Sequence, residues 1–254
     1  MDRNAFDYAL RLGDTTLILS HRLSQWCGHG PALEEDLALT NVALDLLGQA
    51  RMWLTLAGEA EGEGRDEDAL AYLRDAPAYR NYLLVERENG HYGDTMARQF
   101  FFDAWHYLLL ERLAVSAHDG ISAIAAKAVK EVAYHARRSA DILVRLGDGT
   151  EDSHARMQQA VDAAWPYVGE LFVNDPTVEE LAARQWAPRH GDLWPAWLEH
   201  VTSTLAEATL AQPDPAAAHH PAHRGGYMGR HTEALGFLLA EMQHLQRAYP
   251  GATW

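Results

Sequence analysis

Apolar residues recur at spacings of three and four along almost the whole chain, and no run of alternating apolar and polar residues marks a strand. That periodicity restricts the fold to packed helices. A first helix is expected from about Ala5 to Trp26, broken by Gly28, Gly30 and Pro31. The second is EEDLALTNVALDLLGQARMWLTLAGEA, with Glu34, Glu35 and Asp36 in its first turn, where the helix dipole favours negative charge. Leu33, Leu37, Leu44, Leu47 and Leu54 form its apolar stripe. The third, TMARQFFFDAWHYLLLERLAV, is expected to be capped by Asp94 or Thr95 and to stop near His118 to Gly120. The fourth contains AAKAVKEVAYHARRSADILVRLG and closes at LGDGT; in the fifth, DSHARMQQAVDAAWPYVGELF, Pro166 predicts a kink. VEELAARQ, LWPAWLEHVTSTLAEATL and HTEALGFLLAEMQHLQRAY supply further helices, and AQPDPAAAHHPAHRGGYMG reads as a long exposed loop. Four helices of about twenty residues or more, followed by shorter ones, predict an all-α, up-and-down four-helix bundle with additional helices. The 254 residues are expected to form one domain.

Composition narrows the function classes. With 48% apolar and 22% charged residues the chain reads as a soluble globular protein, and no apolar run is long enough to span a membrane. The start, MDRNAFDYALRLGD, does not resemble a signal peptide, so the expected compartment is the cytoplasm. Cys27 is the single cysteine, which excludes an internal disulfide. A formal charge of -15 argues against nucleic acid as a partner. Lys127 and Lys130, the only lysines, lie on the fourth helix with Arg137, Arg138 and Arg145. They read as a solvated face or as a docking site for an acidic partner or an anionic substrate tail.

Polar residues also interrupt apolar helical faces. Asn41, Asp45 and Gln49 are four apart; Asp103 and His106 are three apart within FFFDAWHYLLL; Glu131 and His135 are four apart; Asp14 and His21 are two turns apart. Such residues are commonly solvent-facing or paired along a helix. Four helices that each carry some also suit a buried polar or metal site. A carboxylate-bridged di-iron centre requires two Glu-x-x-His pairs on two helices and a carboxylate from each of two others. Literal Glu-x-x-His occurs at Glu88 to His91, in a turn, at Glu151 to His154, at a helix start, and at Glu241 to His244, on the last helix. A di-iron set in shifted registry would draw on Asp45, Asp103, Glu131 and His135. No phosphate-binding glycine loop, Gly-x-Ser-x-Gly or Cys-x-x-Cys occurs. His219, His220 and His223 cluster in the Pro- and Ala-rich loop at 212–226, without rigid support for a metal. Trp165, Trp186, Trp194 and Trp197 read as core or interface anchors.

Several segments together carry a resemblance: LRLGDTTLILSHRLSQWCGHGPALEEDLALTNVALDLLGQAR, DTMARQFFFDAWH, KAVKEVAYHARRS, LGDGT and HTEALGFLLAEMQHLQRAYPG with the terminal Trp254. The chain resembles the structural C-subunit (PaaC-type) family of the bacterial ring-1,2-phenylacetyl-CoA epoxidases, multicomponent monooxygenases of aerobic phenylacetate degradation. The resemblance covers nearly the whole chain. It implies a ferritin-like fold and a hetero-oligomer with a catalytic A subunit that carries a di-iron centre. It further implies a reductase with flavin and an iron–sulfur cluster that draws electrons from NADPH, and small subunits of the same complex. It also implies a chain that has itself lost the metal ligands and carries no cofactor. Laid on the Asp-Glu-x-Gly-His pattern of the catalytic relative, LDLLGQA puts Leu46 at the glutamate and Gln49 at the histidine. KEVAYH puts Val132 at the glutamate and keeps His135, and Asp103 takes the third-helix carboxylate position. The expected outcome is a polar core of Asn41, Asp45, Gln49, Asp103 and His135 in place of metal.

Overall fold

The computed structural model describes residues 2–219 and 223–252, which places His220 and Trp254 outside the described residues. Eleven α-helices are found among them: α1 (Arg3–Ser24), α2 (Leu33–Glu61), α3 (Glu67–Tyr72), α4 (Leu83–Glu86), α5 (Tyr92–Leu113), α6 (Asp119–Gly147), α7 (Glu151–Val168), α8 (Pro176–Ala183), α9 (Trp194–Glu207), α10 (Glu233–Met242) and α11 (His244–Ala248). No strand occurs among the described residues, as the periodicity predicts. The chain divides into two compact units, Met1–Glu88 with Gly225–Trp254, and Asn89–Arg224.

The first unit is built on the α1–α2 hairpin. Side chains such as Tyr8, Leu12, Ile18, Leu46 and Trp53 are buried in it, each contributing roughly 1.5–3 kcal/mol on leaving water. The helices approach closely at Gly13, where an added Cβ would lie 2.7 Å from Leu54. Two buried carboxylates then fasten the short elements to this hairpin. Asp14, fully buried on α1, accepts from the Arg74 guanidinium (3.0 Å at Oδ2) and from the Arg80 backbone N–H at 2.8 Å. Glu86, also fully buried, accepts from the Thr232 N–H at 2.7 Å and the Asn81 amide at 3.1 Å. His231 places one ring nitrogen 3.0 Å from Glu86 Oε2 and the other 3.0 Å from the Tyr79 carbonyl. Each ring nitrogen thus faces an oxygen of a different segment. Arg22 of α1 donates to the Glu86 and Ala234 carbonyls at 2.8 and 3.1 Å. Gly226 lies so close to the Asn81 carbonyl that a Cβ would sit 2.1 Å from it. The segment that opens on Gly225 is thereby strapped to the N-terminal helices.

The second unit is built on α5 and α6, with α7 and α9 packed against them. Phe100, Phe101, Phe102, Trp105, Trp165 and Trp197 fill its interior, and the Trp197 indole N–H donates to the Phe101 carbonyl at 3.0 Å. Trp165 and Trp197 are thus core anchors, while Trp186 and Trp194 are half-buried.

Three local expectations need correction. The α2 stripe divides: Leu54 is buried, but Leu33, Leu37, Leu44 and Leu47 are exposed, because Leu39, Val42, Leu46 and Trp53 on the other side form the inner face. α5 starts earlier than expected, capped by His91. Its ring nitrogen accepts from the Asp94 N–H at 3.2 Å, and Asp94 accepts from the His91 N–H at 2.9 Å. α7 runs through Pro166 to Val168 before tightening into a 3-10 turn at Gly169–Phe172. The last helix is two: α10 ends at Met242 and α11 begins at His244, so Glu241 and His244 do not share one continuous helix, and both are exposed. Among the described residues no helix is long and apolar enough to cross a membrane.

Candidate functional site

The polar residues singled out in the sequence belong to different units. In the first unit Leu46 and Gln49 are fully buried on the inner side of α2. Asn41 is exposed and Asp45 only half-buried, so neither is a core residue. The cause is helical drift: a spacing of four advances 400°, so each step turns the series by about 40°, and Gln49 lies about 80° round from Asn41. Only the end of the series reaches the interior.

The second unit holds a compact buried cluster. α5 supplies Gln99, Asp103 and His106, and α6 supplies Val132, His135 and Ser139, all at most 2% exposed. Spacings of four and three on α5, and of three and four on α6, set each series on one helix face. The Gln99 amide donates to Asp103 Oδ1 at 2.7 Å. Asp103 Oδ2, Gln99 Oε1 and His106 Nδ1 have no hydrogen-bond partner among the described residues. Burial pushes Asp103 up to about 6, against the opposing pull of His135, Ser139, Gln99 and Arg138. Burial pushes His106 down to about 3, with His135 adding to the effect. The His106 ring packs on Phe102 and Trp105, with centroids 4.9 and 6.1 Å away. At neutral pH the cluster therefore contains a largely ionised carboxylate and a neutral imidazole in an apolar setting.

Val132 takes the inward position that a glutamate would need, with no exposed surface. Glu131 is half-buried, one residue and about 100° away around α6. Among the described residues no three His, Cys, Asp or Glu side chains are grouped so that they could hold a metal ion. The donor chemistry agrees: Leu46 and Val132 carry no ligand atom, and with two carboxylates fewer the cationic charge of a di-iron centre would stand uncompensated in a buried site. A groove of about 990 Å³ runs between α5, α6 and α9, lined by Ala104, Tyr107, Ala136, Arg137, Ala140 and His200 among others. Asp103, His106 and His135 do not line it.

The remaining candidates are dispersed. Lys127 and Lys130 are exposed on α6, as are Arg137 and Arg145, whereas Arg138 is half-buried and donates to the Tyr92 hydroxyl at 3.4 Å. His154 donates to the Gly147 carbonyl at 2.7 Å from the first turn of α7. His219 packs on the Trp194 ring (4.7 Å) and His223 on Tyr167 (4.4 Å), so these two are engaged with aromatic neighbours. Sequence reasoning missed the Asp14–Arg74 and Glu86–His231 pairs, whose members are 60 and 145 residues apart. No local spacing signals them.

A family described as "Phenylacetic acid catabolic protein" matches residues 1–254. The chain is 50% identical over 247 residues to the C subunit of the 1,2-phenylacetyl-CoA epoxidase of Escherichia coli (strain K12), an alignment covering 97% of this chain and 98% of that one.

Proposed function

The chain belongs to the phenylacetic acid catabolic protein family, all-α and ferritin-like, and on that premise we propose that it is the non-catalytic structural subunit of a phenylacetyl-CoA epoxidase. In this reading it binds and stabilises a homologous catalytic A subunit, which carries the di-iron centre. A reductase with flavin and an iron–sulfur cluster passes electrons from NADPH to that centre, and the small subunits belong to the same complex. The A subunit uses O2 to convert the ring of phenylacetyl-CoA to its 1,2-epoxide.

The observation that carries the proposal is the α5–α6 cluster. Val132 fills a ligand position with an aliphatic side chain, and Asp103, His106 and His135 are sealed from the nearby groove. A site that reacts with O2 and an aromatic ring needs ligands for the metal and a path for the substrate. This cluster offers neither, and its polar members instead serve the interior of a helical unit. The likeness to the C subunit of the Escherichia coli epoxidase supports a place among the subunits of such a complex.

The test is co-expression of the chain with the catalytic A subunit of the same complex, followed by purification through a tag on one of them. The expected result is co-elution, epoxidation of phenylacetyl-CoA by the pair once the reductase is added, and no epoxidation by this chain with the reductase alone. Turnover by this chain without the A subunit, or failure to co-elute, overturns the reading.

A further inference from the structure

α2 carries two apolar stripes on opposite sides. The inner one, Leu39, Val42, Leu46, Gln49 and Trp53, is buried. Two residues before each of these, 200° around the helix, stands a second series: Leu37, Thr40, Leu44, Leu47 and Arg51, preceded by Leu33. Its spacings run 4, 3, 4, 3, 4, the a/d pattern of a coiled-coil seam. The leucines are 71% (Leu33), 55% (Leu37), 60% (Leu44) and 40% (Leu47) exposed, four of the eleven large apolar side chains left exposed among the described residues. Single exposed leucines need no explanation, but a straight seam of four on one helix is an unpartnered packing face. Beside it Gly48 is exposed and presents no side chain, with nothing within 4 Å of where a Cβ would stand.

The charges around the seam select its occupant. Glu34 and Asp36 flank it near the start of α2, with Glu35 and Asp45 close by. The first cation along the helix is Arg51, which already pairs with Glu67 at 3.1 Å. A second copy of a chain with formal charge -15 would add acid to this rim, whereas a helix whose apolar seam is flanked by Lys or Arg would neutralise it. We propose that the outward seam of α2 is the docking surface for a basic-flanked amphipathic helix of the catalytic A subunit, packed against Leu33, Leu37, Leu44 and Leu47 in coiled-coil fashion. This rests on the reading of the chain as that subunit's scaffold. Apolar knobs at the centre supply the affinity, and Glu34 and Asp36 set register and association rate.

The experiment pairs L37E/L44E with E34K/D36K, each compared with the wild type in co-elution and titration against the tagged A subunit. L37E/L44E is expected to weaken association at least about 100-fold while the isolated variant keeps its helical circular dichroism and its melting temperature, since both side chains lie outside the core. E34K/D36K is expected to weaken association less and to reduce its salt dependence. If the wild type does not bind the A subunit, the scaffold reading fails. If the wild type binds and L37E/L44E binds equally well, the seam assignment fails by itself. If the wild type alone is a dimer that L37E/L44E dissociates while A-subunit binding stays intact, a second copy covers the seam, and the assignment is overturned in that copy's favour.

Discussion

The two units handle buried charge in opposite ways. In the first, Asp14 faces the Arg74 guanidinium and Glu86 faces the His231 ring, and backbone N–H groups complete both shells. In the second, Asp103 accepts from the neutral Gln99 amide, with His135 and Ser139 beside it and no guanidinium bonded to it, and a neutral His106 stands three residues on. A carboxylate that holds distant segments together must be matched by a cation, because an unpaired buried charge costs several kcal/mol. Asp103 has no guanidinium bonded to it, and burial raises its pKa to about 6 instead.

The largest effect should come from breaking a matched pair. Arg74→Leu leaves Asp14 buried without its cation and should destabilise the protein by about 3–5 kcal/mol, read as a fall in the urea midpoint at pH 7. Equality with an exposed substitution such as Arg3→Leu would remove the contrast between the units. The next effect has the opposite sign. Asp103 binds its proton more tightly in the folded chain than in the unfolded one, so stability falls as pH rises from about 4 to about 6, and the penalty is full above that. Asp103→Asn removes the charge and should raise stability by on the order of 2 kcal/mol at pH 8 and by almost nothing at pH 4. Urea titrations at the two pH values measure this.

Glu86→Gln keeps an acceptor for the Thr232 N–H but loses the charge opposite His231, and should cost about 1–2 kcal/mol. Because Glu86 anchors the strap, protection of the Thr232 and Leu235 amides from hydrogen exchange should fall before that of α2. The effect that is smallest at neutral pH concerns His106. The folded chain holds this ring neutral, so stability is lost as pH drops below about 6.5 toward 3, where the unfolded chain takes up the proton first. His106→Phe should leave stability at pH 8 within about 1 kcal/mol and should flatten the acid limb of the stability–pH curve. An unchanged acid limb would mean that another group governs it.

Particular residues show what the sequence made legible. The helices are visible because a 3.6-residue period reports burial directly, and Leu46, Gln49, Val132 and His135 are buried as their registry implies. Asn41 and Asp45 were misleading because spacing alone does not show how far a series has drifted around its helix. The outward leucines of α2 look like core in one dimension; only the second stripe at Leu39, Val42 and Leu46 reveals that the helix has two apolar faces. His91, as a cap, was hidden because histidine is an uncommon N-cap residue. The Glu86–His231 pair was invisible because it depends on where residue 231 returns, which no local pattern encodes.

The central claim, that the buried cluster of α5 and α6 is a relic and no metal centre, is tested most directly by offering it iron. The isolated chain is incubated anaerobically with excess ferrous iron, passed through a desalting column, and assayed for iron per chain alongside the A subunit treated identically. The account predicts no iron co-eluting with this chain and about two per A subunit. About two irons retained on this chain would contradict it.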